Sequence, residues 1–205
     1  TANVNIDKLV EDFDREEYIC NVLNNCSPKT NISSIKEYEK EFHEKCFDDE
    51  DDTELRVAFD FDGVIADDES ESVFQKTHSL GEFHKHEINN VNIAHNPGPL
   101  KIFLKKLSNI QLREQDKKKE DPNYKEKVRI SIVTARGAPA HERVINTMRD
   151  WGITVNEAFF LGGVNKSLIL DALSPHIFFD DQKTHLIPAS KVSPSVHIPF
   201  GIINK

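Results

Sequence analysis

VAFDFDGVIADDESE, residues 57–71, is the stretch on which the fold turns. The apolar run from Leu55 to Phe59 reads as a short buried strand, and it ends in Asp60-Phe61-Asp62-Gly63. Two carboxylates therefore leave together at the carboxyl end of a strand, the edge at which α/β proteins bind ligands. On these residues alone, a plain solvated acidic turn accounts for the pattern equally well.

Working outward, short apolar runs mark further strands at Val128 to Val133, Ala158 to Leu161, Ile177 to Phe179 and, more weakly, Val196 to Ile198. Helical patterns alternate with them. Pro139 suits a first helical turn, Val144, Met148 and Trp151 make an apolar stripe, and Gly152 before Ile153 reads as a glycine C-cap. A second helix runs from Lys166 to Leu173 and stops at Ser174-Pro175. Repeated strand-helix crossovers imply a doubly wound, mainly parallel α/β sheet with helices on both faces.

Two segments depart from this alternation. Residues 63–127 separate the first two core strands by far more chain than a crossover needs, so they are assigned to a small inserted cap, with 55–62 and 128–205 as the α/β core. Inside the insertion, REQDKKKEDPNYKEK (113–127) reads as a solvated helix end and loop. Ahead of the core, Ile6, Leu9, Val10 and Phe13 share one helical face, and Ser34 with Glu37 has capping-box spacing before Tyr38, Phe42 and Cys46. Residues 1–54 are thus expected to form a helical lead-in closed by the acidic linker DDEDDTE (48–54). His43 and Cys46 have helical metal-pair spacing, but two donors without others favour packing or surface roles.

Composition narrows the function classes. The chain has 205 residues, 38% hydrophobic and 30% charged, and its thirteen Phe argue for a globular protein over a disordered one. A net charge of −9 disfavours a nucleic-acid polymer or an anionic membrane as partner, since both reward clustered Lys and Arg. Cys20, Cys26 and Cys46 form neither a disulfide framework nor a CxxC pair and read as reduced thiols. No stretch approaches the roughly 20 apolar residues that span a bilayer, and the polar start TANVNIDKLVED has no signal-peptide centre. The expectation is a cytoplasmic protein; its oligomeric state is not legible.

Three later features resolve the ambiguity at Asp60. Thr134-Ala135 ends the second strand, Lys166 opens the helix after the third, and Asp180-Asp181 end the fourth. All converge on one sheet edge. Any one of them has a bland reading, but the ordered set DxD, T, K, DD is far less expected by chance.

That order resembles the four motifs of the haloacid dehalogenase superfamily. More narrowly, RVAFDFDGVIADDESE, SIVTARGAPAHERVINTMRDWGI, EAFFLGGVNKSLIL and PHIFFDDQKTHL resemble the cytosolic type-I 5′-nucleotidase family. The resemblance implies a magnesium-dependent phosphomonoesterase acting on nucleoside 5′-monophosphates. It implies Asp60 as the nucleophile forming an aspartyl-phosphate, and Asp62 as the acid that protonates the leaving oxygen and later activates water, roles that suit paired carboxylates. It further implies that Thr134 and the backbone N–H groups of Ala135 and Arg136 hold the phosphate, and that Lys166 neutralises charge on both phosphate and Asp60. Asp60, the carbonyl of Asp62, Asp180 and Asp181 would hold Mg2+, an ion suited to an oxygen-rich site facing phosphate.

Specificity is expected from the cap. Phe74 and Phe83 are candidates to stack on a base, and Asp67, Asp68, Glu69, Ser70 and Glu71 to contact ribose or fix the loop, although plain packing is the commoner role of such residues. His78, His84, His86 and His95 are further candidates. Two alternatives remain open: a phosphatase or phosphotransferase for another small phosphomonoester, and a catalytically silent nucleotide-binding module.

Overall fold

The computed structural model describes residues 52–204. The expected N-terminal helices, the His43 and Cys46 pair and most of the acidic linker lie outside the described residues.

Five parallel strands form the sheet: β1 (Leu55–Phe59), β2 (Val128–Thr134), β3 (Glu157–Phe160), β4 (Ile177–Asp180) and β5 (Ser195–His197), in the order β3-β2-β1-β4-β5. The central position of β1 follows from its sequence. Val57, Ala58 and Phe59 are all buried, so helices must cover both faces. Strand periodicity sorts the residues between those faces. Val57, Phe59, Ile130 and Ile132 join one core with Leu104, Leu107, Val144 and Met148, whereas Ala58, Val133 and Phe178 join the other with Leu170, Leu186 and Ala189. Phe59 stacks on Phe179 across the β1–β4 pair at 5.2 Å, and burying a ring of this kind contributes about 1.5–3 kcal/mol.

Helices α1 (Glu69–Thr77) and α2 (Leu80–Asn89) follow β1 and pack on each other. Next comes α3 (Lys101–Glu120), which the sequence places in the cap. It packs instead on the sheet: Leu104 and Leu107 enter the first core, Gln111 Nε2 donates to the carbonyl of Val128, and Glu114 accepts from the backbone N–H groups of Lys127 and Val128. This helix is the crossover between β1 and β2, and Glu114 is one buried member of an otherwise solvated charged stretch.

The remaining crossovers are short. α4 (His141–Asp150) ends at Gly152, whose φ of +60° suits glycine, with Ile153 N–H reaching Met148 O at 2.9 Å and Gly152 N–H reaching Arg149 O. Pro139 lies in the turn before α4, not in its first turn. α5 (Lys166–Leu173) is capped by the Asn165 side chain, and α6 (Lys183–Ala189) follows β4. A short 3-10 turn, Ile202–Asn204, returns to the first excursion, where Ile202 N–H donates to Asp68 Oδ2 at 2.7 Å. Among the described residues no helix is long and apolar enough to cross a membrane.

Candidate active site

The loops that leave the carboxyl ends of the strands meet around a cavity of about 450 Å³. Asp60, Asp62, Thr134, Ala135 and Arg136 line it from the sheet side, Phe74 and Phe83 from α1 and α2, and His185 from α6. Glu71 and His84 also face it. Of the candidate cap contacts, Phe74, Phe83, Glu71 and His84 are on the cavity wall; Asp68 and Ser70 instead fix structure, through Ile202 N–H and Glu87 respectively.

Asp60 sits where its strand ends, with its backbone N–H donating to Phe179 O and its Oδ1 accepting from Phe61 N–H at 2.7 Å. Lys166, itself buried, places Nζ 2.7 Å from Asp60 Oδ2 and 2.7 Å from Asp180 Oδ2. The sequence expectation for Lys166 concerns phosphate and Asp60; its bridge to Asp180 joins two strand ends across the β1–β4 pair. Burial pushes Asp60 up to about 6, with Asp180 and Asp62 adding repulsion and Lys166 opposing. Despite its own burial, Lys166 is raised by Asp60 and Asp180. Asp180 is held low in spite of burial by His185 and Lys166.

Asp181 is pushed furthest. Burial and then the neighbouring charges of Asp60, Asp180 and Asp62 raise it to about 8, and its Oδ1 is buried without a hydrogen-bond partner. Gly63, at φ +68°, is where the chain turns beneath this carboxylate, and a Cβ there would run into the Asp181 side chain. Asp60, Asp180 and His185 each offer an atom within 4.8 Å of the others. Once ionised, the three acids Asp60, Asp180 and Asp181 outnumber Lys166 by two negative charges, which a divalent cation bound by their oxygens would cancel. The donor set therefore fits a hard divalent ion. His185 is absent from the sequence-derived ligand set; its signal is its place in the first turn of the helix that follows the Asp180-Asp181 pair.

Arg136 does more than line the cavity. Its backbone N–H donates to Thr134 Oγ1 at 3.3 Å. Its side chain is buried and grips Asp62 with both arms, Nε to Oδ2 and Nη2 to Oδ1, each at 2.6 Å. The third nitrogen, Nη1, bonds Glu87 of α2, and the rings of Phe61 and Phe83 each lie 5.5 Å from the guanidinium. Despite burial, Asp62 and Glu87 raise Arg136 above its usual range. Glu87 is also fully buried, and in spite of that is held well below the usual carboxylate range by His95, Arg136 and Ser70. No local pattern announces this bond, because Arg136 reads as one residue of a strand-end loop and Glu87 as one charge in a polar helix.

A family model described as 5′-nucleotidase matches residues 29–205. A human protein, cytosolic 5′-nucleotidase 1B, is 41% identical over 142 residues, which cover 69% of this chain and 23% of the human protein. The chain thus spans under a quarter of the length of that relative.

Proposed function

This chain belongs to the 5′-nucleotidase family, as a cytosolic type-I relative within the haloacid dehalogenase superfamily, and from that premise we propose that it hydrolyses nucleoside 5′-monophosphates to nucleoside and phosphate, with Mg2+ and through an aspartyl-phosphate on Asp60. The observation that carries the reading is Asp60 itself: a buried carboxylate at a strand end, on the wall of a ligand-sized cavity, with Lys166 against one oxygen. We place the enzyme in the cytoplasm, following the name of the human relative.

In this reading an oxygen of Asp60 attacks phosphorus as the bond to the nucleoside oxygen breaks, and Asp62 gives that oxygen a proton. Water then attacks the phosphoryl group, Asp62 takes a proton from it, and Asp60 is released as a carboxylate with phosphate. Thr134 and the Ala135 N–H orient the phosphate oxygens, and Lys166 offsets charge on Asp60. Asp60, Asp180 and Asp181, with the Asp62 carbonyl, would hold Mg2+, with His185 3.3 Å from Asp180 beside them, and the ion when bound would neutralise the acids and screen the incoming phosphate. Both Asp62 oxygens are engaged by Arg136, so part of that grip must loosen when Asp62 carries a proton. Helices α1 and α2 serve as the cap, with Phe74 and Phe83 as walls for the nucleoside.

The test is phosphate release from a panel of ribo- and deoxyribonucleoside monophosphates with Mg2+ or with chelator. Release with Mg2+ and its loss with chelator are expected, and Asp60→Asn should lower the rate by about a thousandfold or more. Undiminished turnover by Asp60→Asn would remove Asp60 as nucleophile.

A further inference from the structure

The two chain segments that join α1 and α2 to the core run side by side. Ala66 bridges Pro97 in an antiparallel pair, Asp67 N–H donates to Asn96 O at 3.0 Å, and Gly98 N–H to Ile65 O at 2.8 Å. At this neck, Asp67, Glu69 and His95 converge, each offering one atom within 4.8 Å of the others.

His95 is the unusual member. Its side chain is fully buried, and neither ring nitrogen has a close, well-formed hydrogen-bond partner. Nδ1 points between Asp67 Oδ1 and Glu69 Oε2, 4.0 Å from each, and Nε2 lies 3.5 Å from Glu87 Oε2. The 4.0 Å spacings at Nδ1 are too long for hydrogen bonds and the approach of Nε2 to Glu87 is at best a long one, so Nδ1 above all is a buried nitrogen left without a partner, which is costly. Asp67 Oδ1 is buried and unpartnered too, although Asp67 Oδ2 is taken by Asn96. An imidazole nitrogen and a carboxylate oxygen thus face each other across one small gap, each without a partner.

Charge points the same way. Within this network Asp62, Asp67, Glu69 and Glu87 face Arg136 and Arg143; Arg143, buried, bonds Glu87 Oε1 at 3.0 Å and Glu69 Oε2 at 3.1 Å. Four acids against two guanidiniums leave two negative charges before the His86 imidazole, 3.1 Å from Glu69 Oε1, is counted. A single imidazolium at His95 would cancel one; a divalent ion cancels both.

We propose that Asp67, Glu69 and His95 form a second divalent-cation site, at the neck of the α1–α2 unit and separate from the Asp60 cluster. One imidazole nitrogen with two carboxylate oxygens suits an ion of the zinc or manganese class better than magnesium. Bonds of about 2.0–2.2 Å require the donors to close by roughly half an ångström, which side-chain rotation supplies. Glu69 is the most open of the three and marks the side from which the ion arrives, sharing Oε2 with Arg143. Bound there, the ion ties the first turn of α1 to the returning strand of the neck.

The experiment uses the full chain, freed of metal and then held in excess Mg2+ so that the oxygen-rich Asp60 cluster is filled, and titrated with Zn2+ by calorimetry. One Zn2+ per chain is expected, with affinity lowered at least tenfold in both His95→Gln and Asp67→Asn and unchanged in His185→Gln. An imidazole nitrogen-proton NMR spectrum of the wild-type chain should show one buried histidine ring losing its Nδ1 proton signal or shifting strongly as Zn2+ is added. Asp67→Asn keeps the test valid if His95→Gln does not fold. Zinc binding lost in His185→Gln but kept in Asp67→Asn would assign the ion to the Asp60 cluster and overturn the proposal. So would the absence of binding beyond Mg2+, or a His95 ring that stays doubly protonated throughout the titration.

Discussion

A single glycine and a single arginine set the positions of the acids. At Gly63, a φ of +68° costs an L-residue roughly 1–2 kcal/mol, and a Cβ would meet the Asp181 carboxylate. Gly63→Ala is therefore expected to lower stability by about 2 kcal/mol or more and to weaken Mg2+ dependence of any turnover, read by denaturant unfolding and by the Mg2+ concentration at half activity. Stability and half-saturating Mg2+ both equal to wild type would remove Gly63 from this role. Arg136→Ala strips Asp62 of its two-armed partner and leaves Glu87 with Arg143 and Ser70, a loss of about 2–4 kcal/mol, and Arg136→Lys should recover only part of it because one ammonium cannot reproduce the two-armed grip on Asp62. Equal stability of the Lys and Ala variants would contradict that geometry. Asp60, Thr134, Lys166 and Asp180 are legible because each lies at or just beyond the end of a short apolar run, a local signal. The Arg136–Asp62 pair spans 74 residues of sequence, and nothing local to either residue announces the other.

At the level of elements, the same contrast recurs. The strands are readable to within a residue or two, since an apolar run bounded by polar turns leaves little choice of face or length. The helix α3 is not, because most of its buried stripe is polar: Ser108, Gln111 and Glu114 are buried to satisfy the backbone of β2 and the turn before β3. A hydrophobic pattern cannot reveal a helix that docks through hydrogen bonds. Helices α1 and α2 are held by Glu87, which gathers Ser70, Arg136 and Arg143 on one buried carboxylate. Glu87→Ala takes one buried carboxylate from two guanidiniums that keep only the carboxylates of Asp62 and Glu69, so a loss of about 2–4 kcal/mol is expected, borne first by this unit. Hydrogen exchange should show amides of 69–89 opening faster while β1 and β2 keep their protection. Uniform acceleration across the sheet would mean that Glu87 supports the whole fold and not the two-helix unit.

For the molecule as a whole, the acids of the sheet edge and those of the neck pull stability in opposite directions with pH. Asp181 and Asp60, ordinarily at 3.8, lie at about 8 and about 6 in the folded chain without metal. Between those limits the folded state keeps protons that the unfolded chain has released, so stability falls as pH rises from about 4 toward 8. Glu87 has the reverse sign: its folded value is below the ordinary 4.5, so its contribution is present above that pH and is lost as pH falls further. In chelator the chain should therefore be most stable near pH 5, with a melting temperature several degrees lower at pH 8. Saturating Mg2+ requires the ionised carboxylates and so should raise the melting temperature more at pH 8 than at pH 5, flattening the alkaline limb. Asp181→Asn should flatten the same limb with no metal present, because it removes the carboxylate that the site can least tolerate in its charged form. Melting followed by circular dichroism across this range, with chelator and with Mg2+, decides the matter: a chelated chain that gains stability from pH 5 to 8 would show that crowding at Asp181 does not govern the fold. The same surplus of charge that makes the edge costly without a cation is what would make it bind one.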